Sequence, residues 1–205
     1  MTKSFNTIPS DEIIKNTIIN LETNGFSVSL VEDLESAKTK VLDLIPENSE
    51  VMTYTSVTLD EAGISSHINE SGNYHSNRDK LYSLDRQTES KQMNILGSAP
   101  DYGVGSVHAI TQAGQLITAS VSGSQLPGQV YSAGKMIIVA GVQKIVADLV
   151  EGMQRIEEYT LPLESERARK AYGVPGSAIN KVVIINKEIN PSRIHVVLIK
   201  QNVGY

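Results

Sequence analysis

The first quarter of the chain switches repeatedly between helical and extended hydrophobic spacing. Apolar residues recur on one helical face between residues 10 and 24, where Ser10 is a favoured type of N-cap residue. Residues 26–31 then alternate between apolar and polar side chains, as a half-buried strand does. Helical spacing returns over residues 34–44, and a short strand follows at 50–54. This alternation of strands and helices predicts a parallel sheet.

The second half of the chain contributes further strand patterns. They cover residues 106–112, 115–120, 135–140, 181–186 and 193–199. The dipeptide Ala113-Gly114 separates the first two patterns and predicts a hairpin. The last two patterns are continuous apolar stretches, so we expect both strands to be buried on both faces.

Residues 65–90 are polar and weakly periodic. We interpret this segment as a variable surface connection in preference to a lid, with a helix near residues 81–93. The whole pattern predicts an α/β fold of three layers, in which a mostly parallel sheet is flanked by helices. A length of 205 residues fits a single domain of this kind, residues 1–205.

Composition narrows the functional classes. The net charge of −5, without a cluster of Lys and Arg, argues against nucleic acid as a partner. The absence of cysteine excludes disulfides, thiol nucleophiles and a thiolate-bound iron–sulfur cluster on this chain. The longest apolar run, residues 136–142, is too short to span a bilayer as a helix, and residues 1–7 lack the apolar core of a secretion signal. We therefore expect a cytoplasmic protein without membrane insertion.

Two polar loops are the main candidates for ligand binding. If the strands 115–121 and 135–140 lie parallel in one sheet, both following loops emerge at its carboxyl edge, where open α/β sheets bind ligands. The first loop has small residues and side-chain donors that suit a carboxylate or phosphate. The second loop adds a cation, and a third loop adds hydroxyl groups. The predicted ligand-binding residues are Ser56, Thr58, Ser122, Gly123, Ser124, Gln125, Gly141, Gln143 and Lys144.

These candidates also have structural interpretations. The loop 122–125 suits a helix cap as well as it suits an anion contact, and capping is the favoured interpretation of Ser56. Lys144 is an ordinary solvated lysine unless a cleft holds it. The ligand-binding hypothesis therefore depends on whether the three loops meet.

Catalytic motifs are weak in this sequence. Gly103-Val-Gly105 begins like a dinucleotide fingerprint, but His108 stands where the third glycine belongs, so we interpret the segment as a tight turn before a strand. The four histidines lack metal-ligand spacing, and we predict neither a metal site nor a cofactor. The candidates for an acid or base are Glu164, Glu166 and His108, although His108 suits a structural role and Glu166 suits an i, i+4 ion pair with Lys170.

Three distinctive segments occur in combination. They are Thr55-Ser-Val-Thr-Leu-Asp-Glu-Ala-Gly63, His108-Ala-Ile-Thr-Gln-Ala-Gly-Gln-Leu-Ile117 and Ile137-Ile-Val-Ala-Gly-Val-Gln-Lys-Ile-Val146. Together they resemble the LUD domain of lactate-utilisation proteins, the DUF162 type, and residues 124–127 and 161–173 resemble a short subgroup of that family. The resemblance implies the α/β fold of sugar isomerases and CoA transferases (NagB/RpiA/CoA transferase-like). It also implies an accessory role beside an iron–sulfur L-lactate oxidation system, with the clusters on a partner chain.

One departure from the family pattern bears on chemistry. Related sequences carry a glutamate before the hairpin glycine, and a glutamate is the covalent nucleophile of CoA transferases. Here that place is taken by Gln112, whose amide cannot form the acyl intermediate. We therefore expect the protein to bind a small anionic metabolite, or its thioester or phosphorylated form, in lactate or related organic-acid utilisation.

Two alternatives to this expectation stay open. The first is an isomerase, hydrolase or transferase acting on a phosphorylated or CoA-linked metabolite. The second is a non-catalytic interaction module for iron–sulfur oxidoreductase subunits. A homodimer is the default assembly, because cyclic pairs are the commonest oligomers.

Overall fold

The computed structural model describes residues 4–205. Residues 1–3 lie outside the described residues, and they are part of the segment 1–7 in which we expect no secretion signal. The main sheet has six strands, and every neighbouring pair is parallel. In spatial order they are β1 (Ser27–Val31), β10 (Ile194–Ile199), β7 (Lys135–Gly141), β4 (Tyr102–Gly105), β2 (Glu50–Thr53) and β3 (His75–Ser76).

A second, mixed sheet packs against one face of the main sheet. In spatial order its strands are β8 (Ile145–Val146), β5 (Ala109–Thr111), β6 (Leu116–Ser120) and β9 (Lys181–Ile185). β5 and β6 form the predicted antiparallel hairpin, β9 pairs antiparallel with β6, and β8 pairs parallel with β5.

Eight α-helices surround the sheets in the described part of the chain. They are α1 (Asp11–Thr23), α2 (Leu34–Asp43), α3 (Val57–Glu61), α4 (Ile64–Glu70), α5 (Asn77–Ser83), α6 (Ser90–Ser98), α7 (Leu149–Arg155) and α8 (Leu161–Tyr172). Two π-helical turns, Gly128–Ser132 and Ile156–Thr160, and one 3-10 turn, Val142–Lys144, complete the helical structure of those residues.

The main sheet is buried on both faces. Helices α2, α3 and α4 cover one face, while α1 and the second sheet cover the other. Helix α7 then packs on the second sheet, and Gly152 permits that approach because a Cβ atom there would lie 2.4 Å from Cδ1 of Ile117. The predicted layered α/β fold with a mostly parallel, helix-flanked sheet is therefore confirmed, and the second sheet adds to it.

The predicted first helix and the predicted hairpin are both present. Ser10 caps α1 by accepting a hydrogen bond from the backbone N–H of Ile13 at 3.4 Å, and Gly25 follows with a left-handed φ of 88°. Gly114 turns the hairpin with a φ of 79°. A side chain at Gly114 would collide with α1, since its Cβ would lie 2.7 Å from the backbone N of Leu21.

Two predictions about strands are wrong. β9 is not buried on both faces: it lies at the edge of the second sheet, and Val182 and Ile184 are 37% and 40% exposed. Gly103 and Gly105 do not form a tight turn, because they lie inside β4. Their missing side chains make room for Tyr54, whose ring would lie 3.2 Å from a Cβ atom on Gly103.

Candidate functional site

A cleft of about 1060 Å³ opens where β2 and β4 end. Its wall on the main sheet comes from the segments that follow β2, β4 and β7. The second sheet contributes the loop after β6, and α5, α6 and α8 supply the remaining helical wall. The cleft thus lies at the carboxyl edge of the parallel strands, where α/β sheets bind ligands.

The polar loops meet in this cleft, but not by the predicted route. β6 and β7 are not parallel neighbours: β6 belongs to the second sheet and β7 to the main sheet. Their loops converge because the second sheet packs on the main one. Of the predicted ligand-binding residues, those that line the cleft are Ser56, Thr58, Ser122, Gly123, Ser124, Gln125 and Lys144.

Gly141 and Gln143 do not line the cleft. Instead, the Gln143 amide nitrogen donates to the backbone oxygen of Val203 at 2.7 Å. Gly141 allows this arrangement, because a Cβ atom there would lie 2.1 Å from the Gln143 amide oxygen. These two residues therefore fix the C-terminal segment against the sheet.

Lys144 lies at the base of the cleft and is 1% exposed. Its Nζ donates to the hydroxyls of Thr58 and Ser106, each at 3.1 Å, and to the backbone oxygen of Val107 at 3.2 Å. Within residues 4–205, no carboxylate forms a salt bridge with it. The interpretation of Lys144 as a solvated lysine is therefore wrong.

Burial lowers the pKa of Lys144 to about 7, and the nearby Arg155 guanidinium adds to that effect, while Glu61 opposes it. An ammonium transferred out of water loses hydration that three neutral oxygens only partly replace. The amine is consequently shared between its charged and neutral forms near neutral pH.

His108 lies beside Lys144 in the cleft wall. Its Nδ1 accepts a hydrogen bond from the backbone N–H of Ala119 at 3.1 Å, which assigns the proton of the neutral ring to Nε2. Desolvation, followed by the charges of Lys144 and Arg155, lowers the pKa of His108 to about 3. His108 is thus held neutral, as a hydrogen-bond donor through Nε2.

Arg155 stands behind this wall with its side chain fully buried. It donates to the backbone oxygen of His108 and to the hydroxyl of Thr160. Its Nε and one terminal nitrogen have no hydrogen-bond partner in the described residues, and the ring of Tyr159 lies 5.2 Å away. Burial lowers the pKa of Arg155 to about 10, so it still carries a positive charge at neutral pH.

The serine-rich loop after β6 folds onto itself. The backbone N–H of Gly123 donates to the Ser120 hydroxyl at 2.9 Å, and that of Ser124 donates to the Ser122 hydroxyl at 3.3 Å. The Ser120 hydroxyl donates in turn to the amide oxygen of Gln125 at 3.0 Å. A π-helical turn, Gly128–Ser132, follows this loop, and the residues 122–125 line the cleft.

The predicted carboxylates occupy different environments. Glu164 lines the cleft, pairs with Arg167 at 2.6 Å and accepts from the Tyr205 hydroxyl at 2.8 Å. Burial alone would raise the pKa of Glu164, but the hydrogen bonds from Arg167 and Tyr205 outweigh it and lower that pKa. Glu166 lies outside the cleft on the exposed side of α8, where the predicted ion pair with Lys170 forms at 2.6 Å. Glu166 is therefore not positioned as an acid or base for a bound ligand.

The segment 65–90 is more than a variable connection, since it supplies two arginines to the cleft, Arg78 and Arg86. Arg78 donates to the backbone oxygen of Thr53 at 2.9 Å and to the Tyr82 hydroxyl at 2.8 Å. Sequence reasoning missed both arginines. The only signal for them was the length of the polar segment, because long segments in compact domains are often functional.

Charge is distributed unevenly over the protein. The cleft lining contains four cationic side chains, Arg78, Arg86, Lys144 and Arg167, and one carboxylate, Glu164. The chain as a whole carries a net charge of −5. The cleft is therefore an electropositive region on an acidic protein, which favours an anionic ligand.

Two further observations concern the described residues only. No three side chains of the types that bind metals form a group within residues 4–205 that could hold an ion. Among the helices of the same residues, none has both the length and the apolar character needed to cross a membrane.

Ser56 takes the predicted capping role, since its hydroxyl accepts from the backbone N–H of Leu59 at 3.4 Å.

Comparison with known proteins agrees with this architecture. A DUF162 family protein from Deinococcus radiodurans has a TM-score of 0.58 at 10% identity, covering 93% of this chain and 99% of that one, and so shares the fold. eIF2B delta from Chaetomium thermophilum is 13% identical over 69% of this chain and 55% of that one, with a TM-score of 0.35 that supports no argument. No curated protein matches. The family model described as the LUD domain matches residues 14–199, and the chain therefore belongs to the LUD-domain family.

Proposed function

We propose that the cleft binds a small anionic metabolite, either a carboxylate or its phosphorylated or thioester form. The supporting observation is the excess of cations in the lining, including the buried Lys144, for which the described residues supply no carboxylate partner. A bound anion would compensate this charge in a region that is partly shielded from water, where electrostatic attraction is stronger than in bulk solvent.

The size and polarity of the cleft suit such a ligand. Small-molecule sites typically occupy about 300–1,000 Å³ and combine apolar walls with a few placed polar groups. Here the apolar walls include Leu81, Met93 and Ile156, and the hydroxyls of Ser122 and Ser124 lie at the rim.

Calorimetric titration with lactate, pyruvate, a sugar phosphate and a CoA ester tests the proposal. We expect one of these anions to bind, with an affinity that falls as salt rises. Arg78→Ala should weaken binding about tenfold or more, since it removes a cation from the lining. Arg169→Ala is the matched control, because Arg169 lies outside the cleft and bonds to the backbone oxygen of Pro175. Equal losses in both variants would contradict the site, and no binding of any anion would contradict the function.

We limit the proposed function to binding, because the geometry does not favour Glu164, Glu166 or His108 as an acid or base. A general acid needs a carboxyl with a raised pKa, whereas Arg167 and Tyr205 lower the pKa of Glu164. Gln112, in the position of the family glutamate, lies away from the cleft, where its backbone oxygen accepts from the Asn20 side chain on α1 at 2.8 Å.

The biological setting is also part of the proposal. Membership of the LUD-domain family supports a role in, or accessory to, lactate or organic-acid utilisation, and we expect that role to be cytoplasmic. Because the chain has no cysteine, any thiolate-bound iron–sulfur cluster in that system would belong to a partner subunit. Affinity purification would test for a cysteine-rich oxidoreductase partner, and light scattering would test for a homodimer.

A further inference from the structure

Lys144 combines three properties that ion binding alone does not need. Its amine is buried, it faces a cleft, and in the described residues it has no salt-bridge partner. Exposed lysines bind anions as charged groups without a desolvation cost. A lysine placed in this way keeps an unprotonated fraction near neutral pH, because desolvation and the charge of Arg155 outweigh the attraction of Glu61.

The hydrogen-bond partners of Lys144 accommodate a neutral amine. The backbone oxygen of Val107 can only accept, but the hydroxyls of Thr58 and Ser106 can either accept or donate. When Nζ loses its third proton, one of these hydroxyls can rotate and donate to the nitrogen lone pair. The site is therefore satisfied in both protonation states.

The charged groups around the amine come from three elements. Arg155 at the end of α7 disfavours the ammonium, and Glu61 of α3 favours it. His108 stays neutral and adds no charge. Glu61 is occupied elsewhere, since its carboxylate accepts from the backbone N–H of Gly204 at 2.9 Å.

We propose that the Lys144 amine is a nucleophile that forms an imine with the carbonyl carbon of an anionic aldehyde or ketone held in the cleft. This inference rests on the proposed binding of a small anion and names its class: an oxo compound that carries a carboxylate or a phosphate. The arginines of the lining would hold the anionic group, while Lys144 at the base of the cleft meets the carbonyl.

The chemistry balances with groups present at the site. The Nζ lone pair attacks the carbonyl carbon, a C–N bond forms, and the C=O π bond opens. A proton moves from nitrogen to oxygen, and the Ser106 or Thr58 hydroxyl at 3.1 Å from Nζ is placed to relay it. Loss of that oxygen as water then gives the C=N bond. One amine and one carbonyl yield one imine and one water, with no oxidant or reductant.

Borohydride trapping tests the inference. The full-length protein is incubated with pyruvate or with dihydroxyacetone phosphate, reduced with borohydride, and digested for mass spectrometry. We expect the reduced adduct at Lys144 with at least one of the two, and the preferred compound distinguishes a carboxylate ligand from a phosphate ligand. Labelling of Lys144 at pH 7.5 should exceed that of exposed lysines by at least about tenfold, since a lower pKa leaves more free amine. It should rise with a midpoint near pH 7.

Controls separate this inference from simple anion binding. Acetone, which lacks a charge, should label Lys144 less than pyruvate does. Lys144→Met should lose the adduct, whereas Lys181→Met, which removes an exposed lysine near the cleft rim, should keep it. Even if a variant fails to fold, peptide mapping of the labelled wild-type protein identifies the lysine that carries the adduct.

Two results would overturn the imine. One is labelling spread evenly over surface lysines; the other is no adduct at Lys144 with either compound. If calorimetry still detects anion binding in those cases, only the nucleophile is refuted and the proposed function stands. If no anion binds, both fall.

Discussion

Arg193 and Lys144 are both buried cations, but among the residues that the structure describes Arg193 has a carboxylate partner and Lys144 has none. The side chains of Arg193 and Glu188 are 7% and 8% exposed and meet at 2.6 Å. The remaining Arg193 donors reach the backbone oxygens of Gly128, Gln129 and Val130. In residues 4–205, the hydrogen bonds of Lys144 Nζ all go to neutral oxygens. A buried charge that is paired with an opposite charge of the same protein stabilises the structure. A buried charge without such a partner can still attract a ligand of opposite charge.

The two cations also lie at opposite edges of the main sheet. Arg193 precedes β10 and ties its amino end to the π-helical turn, while Lys144 follows β7 at the carboxyl edge. Parallel α/β sheets bind ligands at the carboxyl edge, so the uncompensated charge is on the functional side.

The largest expected effect is on the compensated pair. Arg193→Met leaves the Glu188 carboxylate buried without its partner, and we expect the free energy of unfolding to fall by about 3–5 kcal/mol. Urea denaturation measures this change. Arg169→Met, which removes an exposed arginine, should leave the unfolding free energy almost unchanged; similar stability of the two variants would show that the buried pair is not structural.

Lys144→Met should raise the free energy of unfolding, whereas Arg193→Met should lower it. Between about pH 7 and pH 10 the unfolded chain holds a proton on Lys144 that the native protein has released, so wild-type stability rises with pH in this window. The variant lacks this dependence. Its stability advantage over the wild type should therefore be greatest below pH 7 and shrink by roughly 1 kcal/mol per pH unit above it. Urea denaturation across this range tests the difference, and a gap independent of pH would contradict the burial of a charge.

His108→Asn tests whether burial keeps His108, which lies beside Lys144 in the cleft wall, in its neutral form. Asparagine can still accept from the Ala119 N–H, but it does not titrate. In the wild type, the unfolded histidine gains a proton below its usual pKa while the native ring stays neutral down to about pH 3, so stability falls as pH falls from about 6.5. Compared with the variant, the wild type should lose roughly 1 kcal/mol per pH unit in this window. If the unfolding free energies of the two proteins fall in parallel as the pH is lowered, the predicted low pKa of His108 is contradicted.

The smallest effects are expected on α8. Glu164→Gln removes the one carboxylate from the cleft lining and releases Arg167, so we expect a few-fold tighter anion binding by calorimetry. Glu166→Gln is the matched control on the exposed side, and it should change neither affinity nor stability measurably. If both substitutions tighten binding equally, long-range charge and not the cleft is responsible.

Local patterns were read correctly where the physics is local. The capping of α1 by Ser10, the hairpin turn at Gly114 and the ion pair between Glu166 and Lys170 each depend on residues within a few positions of one another. Their geometry follows from backbone periodicity and from the conformational freedom of glycine. None of these features required knowledge of the remaining chain.

Predictions that depended on strand partners were less successful. The continuous apolar stretch of β9 suggested an interior strand, yet it ends the second sheet with one edge free. The loops after β6 and β7 were placed together on the assumption of a shared sheet, and they meet although that assumption is wrong. The apolar content of a strand predicts that it is buried, but it does not predict which strand pairs with it.

The pattern of amino acids was enough to predict the layered α/β class and the family, and seven of the nine ligand-binding residues that it predicted line the cleft. The three-dimensional packing was needed to show that Lys144 is buried with no carboxylate partner among the described residues. It also brings Arg78 and Arg86 to the cleft from a distant polar segment and leaves Gly141 and Gln143 outside it. The physical reason is that desolvation and charge compensation depend on what packs around a group. Those neighbours are up to 86 positions away in the chain, as Thr58 is from Lys144.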